Sequence, residues 1–338
     1  LGIPGAVVRV SSPQGDWSGA SGFANLETRT PLQPEQSFFI GSISKTFTAV
    51  AVLKLVEQGK LSLDDPLAQW LPEIADQLPE GDTITLRQLL NGTDGLFDGT
   101  EILIPLISED PTLLLTGNLK PSDLIAYAYG QPRFSGSSCL PTWCYPNTGY
   151  AIAGLILEKA TGSSYAEVIR QQVLHPLGLQ QTLATSSGSD LPANLARGYL
   201  DLEGTGTLTD ITLYDQGFIR IAGGSGELIS TAADVMQFAQ GLSRGTFLEP
   251  QSFKELMTFV ETGSDLEFGL GLERQLTPWG QLIGKTGGSL AYQSWMIDLA
   301  DQDIKIVILV NAGTFDDSEF WPNQILPELM EVLSPSHN

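Results

Sequence analysis

Histidine is nearly absent from this chain. Two occur in 338 residues, His175 in Leu174-His175-Pro176-Leu177 and His337 one residue from the end. A Ser-His-Asp relay would need one of them. Neither is suited, because His175 precedes a proline at a predicted helix end, where a surface or capping role is expected. A zinc site needs three or four His, Cys or carboxylate ligands at workable spacing, and two isolated histidines supply little toward one. Cysteine is as scarce, with Cys139 and Cys144 separated by four residues. That spacing is not Cys-x-x-Cys, which argues against a thioredoxin-like redox role. A disulfide here would stiffen a small loop and require an oxidising compartment, and two reduced thiols read equally well.

Long apolar runs are missing too. The longest candidates, Ile304 to Val310 and Ala151 to Leu157, are strand or helix pieces, short of the roughly 20 residues of a membrane-spanning helix. Positive charge is low: 17 Lys and Arg stand against 39 Asp and Glu, a net charge of -22. With no basic cluster, nucleic acid and anionic membrane surfaces are unsuitable partners, and the acidity reads as solubility or adaptation to salt. Hydrophobic content of 42% with 17% charged residues fits a globular chain, long enough for two domains or one large α/β unit. A strand-like run, Gly5 to Val10, begins close to Leu1 with no initiator methionine. A trimmed N-terminus is expected, which leaves an upstream signal peptide open.

Three short motifs carry chemistry. In Ser42-Ile43-Ser44-Lys45 a hydroxyl and an amine lie three residues apart, between the apolar strand Ser37 to Ile40 and an apolar helix predicted over Thr46 to Leu55. Residues i and i+3 share a helix face, so the two groups can meet. Lysine becomes a base for serine if burial lowers its pKa from about 10.4 toward neutrality, and the helix N-terminus adds an N–H for a developing oxyanion. Taken alone, the motif reads first as a helix start with Ser42 as cap. The second motif, Tyr145-Pro146-Asn147, precedes the helix Ala151 to Ala160. Side chains two apart on an extended segment face the same way, so a phenol and a carboxamide can line one wall of a cleft. The bland reading makes Asn147 a helix cap. The third, Gly284-Lys285-Thr286-Gly287-Gly288-Ser289, follows the strand-like Gln281 to Ile283 and precedes a predicted hairpin, Ala291 to Leu299 turning at Ala300 to Asp303 into Ile304 to Val310. Its glycines permit close approach by a substrate backbone. Lysine precedes them instead of following, so the Walker pattern is absent.

In this order, Ser-x-x-Lys, Tyr-x-Asn and Lys-Thr-Gly resemble the penicillin-recognising serine hydrolases, in the branch of class C β-lactamases, DD-peptidases and related esterases. The stretches Phe39 to Ala49, Leu61 to Leu67, Ile84 to Leu90 and Pro176 to Leu179 are also similar to the family, so the resemblance covers nearly the whole chain. It implies an α+β fold: an antiparallel sheet flanked by helices, from residues 1–60 and 225–338, and a mostly helical part over 61–224, with the active site in the cleft between them. Strand signals before residue 41 and after 265 agree. The resemblance implies Ser42 as nucleophile, Lys45 as its base, Tyr145 as proton shuttle and Asn147 orienting the substrate amide. Lys285 and Thr286 would hold the substrate carboxylate, Gly287 lies within the same motif, and the N–H groups of Ser42 and Gly288 would form the oxyanion hole. No metal or organic cofactor is implied.

Several departures bear on substrate. Lys285 stands where many DD-peptidases and esterases of the branch carry histidine, which favours anionic substrates ending in a carboxylate. Against a lactamase, no Arg or Lys follows Lys305. Arg274, on a strand read as Phe268 to Gln275, is a substitute carboxylate partner or a surface salt bridge. Asn91-Gly92-Thr93-Asp94-Gly95-Leu96 replaces the family's Thr-His-Thr-Ser-Gly-Leu, and Pro146 is atypical in a way that bears on how Tyr145 points. The expectation is a D-alanyl-D-alanine carboxypeptidase, with β-lactams as further ligands. The alternatives are a β-lactamase or short-chain esterase, and a non-catalytic penicillin-binding sensor. A monomer in the periplasm or secreted is expected.

Overall fold

The computed structural model describes residues 3–184, 191–313 and 320–333; His337 lies outside them. Among the described residues, nine strands form one antiparallel sheet. Its order is Val260–Glu261, Leu266–Phe268, Glu273–Thr277, Gly280–Gly288, Gln293–Leu299, Ile304–Val310, Gly5–Ser12, Gly15–Asn25 and Thr30–Pro31. The N-terminal hairpin thus extends a C-terminal meander. All seven residues of Ile304–Val310 are buried, because helices cover both faces of the sheet. Alternation along the strand divides them: Ile304, Ile306, Ile308 and Val310 pack with Leu326 and Met330 of helix Trp321–Leu333, whereas Val307 and Leu309 join the larger core.

Helix Ile43–Glu57 runs through that larger core, with Phe47 stacked on Phe238 at 3.7 Å between centroids. It is buried on nearly every side and shows no single apolar stripe, as expected of a helix enclosed by protein. Helix Asn147–Thr161 packs beside it and ends at Gly162, in the left-handed conformation. Both helices begin earlier than the apolar pattern predicts, so Lys45 and Asn147 fall in first turns. His175 opens the short helix His175–Leu177, closed by Gly178, in keeping with a helix end. Among the described residues no helix is long and apolar enough to cross a membrane.

Two strand readings are corrected. Phe268 to Gln275 is not one strand: Gly269 to Leu272 turns back, with the Gly269 N–H donating to the Leu272 carbonyl at 2.8 Å and Gly271 at φ +73. Glycine is needed there, since a Cβ on Gly271 would lie 2.8 Å from the Lys45 carbonyl oxygen. Strand Leu228–Thr231, which the sequence pattern did not mark, pairs with Ser37–Phe39 and with Leu183–Ala184.

Strand Gly280–Gly288 is joined to the start of helix Ile43–Glu57 through Ile40 and Gly41. The Ser294 hydroxyl, from the neighbouring strand, donates to the Ile40 carbonyl at 2.9 Å. Gly41 has φ +48, and a Cβ there would stand 2.5 Å from the Gly288 oxygen and 2.7 Å from its nitrogen. Gly41→Ala is therefore expected to lose roughly 2 kcal/mol of stability, read as a lowered urea midpoint. Gly288→Ala, whose Cβ meets nothing within 4 Å, is expected to stay within about 0.5 kcal/mol of the parent; equal losses would refute the contact.

Candidate active site

Ser42 is the N-cap residue of helix Ile43–Glu57, yet its side chain makes no capping bond. Its hydroxyl instead lies within hydrogen-bond distance of Lys45 Nζ, at 3.0 Å. Lys45 is fully buried and reaches two further oxygens, Asn147 Oδ1 at 2.7 Å and the Ser225 carbonyl at 3.0 Å. Burial and the neighbouring charge of Lys285 hold its pKa well below the ordinary lysine value, against the opposing pull of Asp98 and Glu273. A neutral amine beside a serine hydroxyl can act as its base.

Lys285 is equally buried but in the opposite condition. Burial alone would lower its pKa; the Glu273 carboxylate at its ammonium and the Tyr145 hydroxyl at 3.1 Å raise it instead. Glu273 also accepts from the Thr286 N–H at 3.0 Å and from the Thr286 hydroxyl. The Tyr145 ring lies between the two amines, 4.9 Å from Lys45 Nζ and 5.2 Å from Lys285 Nζ to its centroid.

Asn147 does not serve as a cap. Pro146 is the N-cap residue, and the Asn147 carboxamide bridges Lys45 to Asp98, its Nδ2 donating to Asp98 Oδ2 at 2.7 Å. Pro146 does not turn Tyr145 away from the amines. Behind Tyr145, a small hairpin pairs Cys139–Leu140 with Trp143–Cys144 and is closed by a Cys139–Cys144 disulfide. Trp143 packs against Tyr145 and Phe268, and its indole N–H donates to the Asn91 carbonyl at 2.9 Å. The departing stretch after Asn91 is a series of tight turns: Asn91 Oδ1 accepts from Thr93 N and Asp94 Oδ1 from Leu96 N.

Ser42, Lys45, Tyr145, Asn147, Lys285 and Thr286 thus belong to one connected group, with Gly287 and Gly288 against Ile40 and Gly41. Arg274 is engaged elsewhere: its guanidinium makes two bonds to Glu267, at 2.5 and 2.7 Å, and lies 4.4 Å from the Phe259 ring centroid. Asp98, Glu273 and the Ser225 carbonyl were not found from the sequence. A buried Lys285 requires a counter-charge, but nothing in the sequence singles out Glu273 among the 39 acids. A cavity of about 120 Å³ opens beside Ser42, Asn147 and Gly288 and is walled by Ile104, Phe218 and Ala222.

The sequence profile of the Beta-lactamase family matches residues 1–326. Penicillin-binding protein 4 of Amycolatopsis lactamdurans is 33% identical over 352 residues, covering 98% of this chain and 87% of that protein. Penicillin-binding protein 4* of Bacillus subtilis is 26% identical over 324 residues, covering 88% of this chain. The chain spans 65% of that Bacillus protein's length. Among solved structures, the D-stereospecific amidohydrolase from Streptomyces sp. superposes with a TM-score of 0.80 at 29% identity, over 92% of this chain and 90% of that one.

Glu273→Gln leaves the Lys285 charge buried without a counter-charge and is expected to cost about 3–5 kcal/mol. In the parent, the raised pKa gives stability that is full below the ordinary lysine value of 10.5 and is lost as pH rises through the folded value. In the variant burial dominates, so stability should rise with pH toward 10.5; parallel urea-stability curves against pH would contradict the pairing. The disulfide closes too short a loop to alter global stability much, and its place directly before Tyr145 makes a local brace its expected role. Reduction is then expected to lower turnover with little change in melting, and unchanged turnover in reductant would sink that role.

Proposed function

The chain belongs to the Beta-lactamase family, and from that premise we propose that it is a serine hydrolase forming an acyl-enzyme on Ser42, with D-alanyl-D-alanine carboxypeptidase as its activity. The observation that carries the reading is the buried Lys45 amine, hydrogen-bonded to the Ser42 hydroxyl at 3.0 Å. The Lys45 lone pair takes the Ser42 proton as Oγ attacks the substrate carbonyl carbon. The carbonyl oxygen becomes an oxyanion at the Ser42 and Gly288 N–H groups. Collapse breaks the C–N bond, and Tyr145, beside Lys285, hands a proton to the departing amine. Water then attacks the acyl-serine ester, releasing the acid and returning the proton to the site. Thr286 and Lys285 meet the substrate carboxylate, and β-lactams enter as carbonyl analogues of the same acyl donors. The disulfide supports a location outside the cytoplasm.

A second reading rests on Glu273. Its carboxylate already neutralises Lys285, which weakens the attraction for a terminal carboxylate and favours amides or esters of D-amino acids. The Streptomyces amidohydrolase, D-stereospecific by name, supports this reading.

Intact-protein mass spectrometry with benzylpenicillin, with Ser42→Ala as control, tests the proposal. A lasting adduct on the parent alone is expected of a carboxypeptidase. Penicillin loss without a lasting adduct indicates a β-lactamase. With neither adduct nor loss, turnover of D-amino-acid amides or esters supports the second reading. Because Lys45 acts unprotonated, kcat/KM should rise with pH through its lowered pKa, with that limb well below 10.5; a limb at the ordinary lysine value would remove Lys45 as base.

A further inference from the structure

A neutral lysine carries two N–H donors and one lone pair. Lys45 Nζ has three partners: Asn147 Oδ1 at 2.7 Å, the Ser225 carbonyl at 3.0 Å and Ser42 Oγ at 3.0 Å. Amide and carbonyl oxygens only accept, so they take the two N–H groups. The lone pair is left for the Ser42 hydroxyl proton. This holds only while Asn147 presents its oxygen. The two ends of a carboxamide are nearly the same size, and the reversed amide would donate N–H to Lys45 and draw the lone pair away from Ser42.

Asp98 opposes that reversal. It is 2% exposed, and Oδ2 accepts from Asn147 Nδ2 at 2.7 Å. Oδ1 accepts from the Thr100 N–H at 2.9 Å and the Thr100 hydroxyl at 2.7 Å. Backbone ties hold the pair in register: the Gly99 N–H donates to Thr148 Oγ1 at 3.0 Å, and that hydroxyl donates to the Phe97 carbonyl at 2.9 Å. A carboxylate has no donor to offer, so it faces the NH₂ end of Asn147 and turns the oxygen toward Lys45.

We propose that Asp98 is a positioning residue which, by fixing the Asn147 carboxamide, aims the Lys45 lone pair at Ser42. It touches no reacting atom and works through Asn147. The inference rests on Ser42 being the nucleophile and is independent of which acyl donor is natural. Asp98→Asn retains size and polarity but supplies both donor and acceptor, so it no longer selects one orientation of Asn147.

The test is the rate at which a fluorophosphonate modifies Ser42, followed by intact mass from pH 5 to 10, in the parent, Asp98→Asn, Asn147→Ala and the double variant. This probe needs an activated serine and no particular substrate. Asp98→Asn is expected to slow labelling on the order of tenfold to a hundredfold and to cost nothing further in the Asn147→Ala background. The acid limb should also move to lower pH. The charged groups acting on Lys45 are Asp98 and Glu273, which favour its protonated form, and Lys285, which opposes it; the variant removes one of the first two. Labelling at the parent rate, or losses that multiply across the two sites, would overturn the proposal. Should Asp98→Asn fail to fold, NMR of the parent decides: nuclear Overhauser contacts from the Asn147 amide protons to Thr100 support it, and contacts to the Lys45 side chain overturn it. Rapid labelling without turnover of penicillin or D-peptides would remove the substrate reading alone. Labelling no faster than Ser42→Ala would remove both.

Discussion

Two lysine amines buried in one cleft set the terms for everything around them. A charged amine out of water is costly unless paired, so each must lose its proton or gain a counter-charge. Lys45 and Lys285 resolve the demand in opposite ways. Lys45 faces neutral oxygens from Asn147 and Ser225 together with the repulsion of Lys285, and its pKa is held well below the ordinary lysine value. Lys285 has Glu273 and stays charged. Environments that push two like groups apart assign the base and the acid side of a reaction, and here Tyr145 lies between them.

The fold serves that asymmetry by bringing backbone segments closer than side chains would permit. Gly41 meets Gly288, Gly287 meets Ile40, and Gly271 meets the Lys45 carbonyl. Each contact joins a sheet strand or its turn to the beginning of helix Ile43–Glu57. The Gly271 carbonyl also accepts from the Thr46 hydroxyl at 2.5 Å. Ser42 and Lys45 are therefore held by their own helix turn and by strand Gly280–Gly288 with the turn at Gly269 to Leu272. A site held from several directions keeps its geometry without reorganising during reaction.

Much of this was legible because it is local. The spacing of Ser42 and Lys45 needs only a helix turn, Tyr145 and Asn147 needed only a helix start, and the buried strand Ile304–Val310 is apolar at every position but Lys305. What escaped the sequence depends on partners distant in the chain. Asp98 is 49 residues from Asn147, and Glu273 is one acid among 39 until the turn at Gly269 to Leu272 places it beside Lys285. That turn was hidden for a related reason: leucines alternate with its glycines and mimic a strand. The Ser225 carbonyl carries no sequence signal at all, since every residue has one. The disulfide was undecided because cysteine spacing does not report oxidation state.

Charge makes Glu273 the point at which substrate preferences divide. Burial and Lys285 drive Lys45 toward its neutral form, Lys285 is paired with Glu273, and burial raises the pKa of the remaining acid, Asp98. The cluster therefore offers little uncompensated positive charge, and the whole chain carries -22. An anionic substrate approaches against that field, which slows encounter instead of steering it. Recognition of a carboxylate must then come from short-range donors, namely the Thr286 hydroxyl and the Lys285 ammonium, in competition with Glu273 for both. A neutral amide or ester meets no such competition. On the proposed reading, Ser42 and Lys45 would treat either carbonyl alike, so the acylating pair would fix the reaction class and the Lys285–Glu273–Thr286 group would select among its substrates.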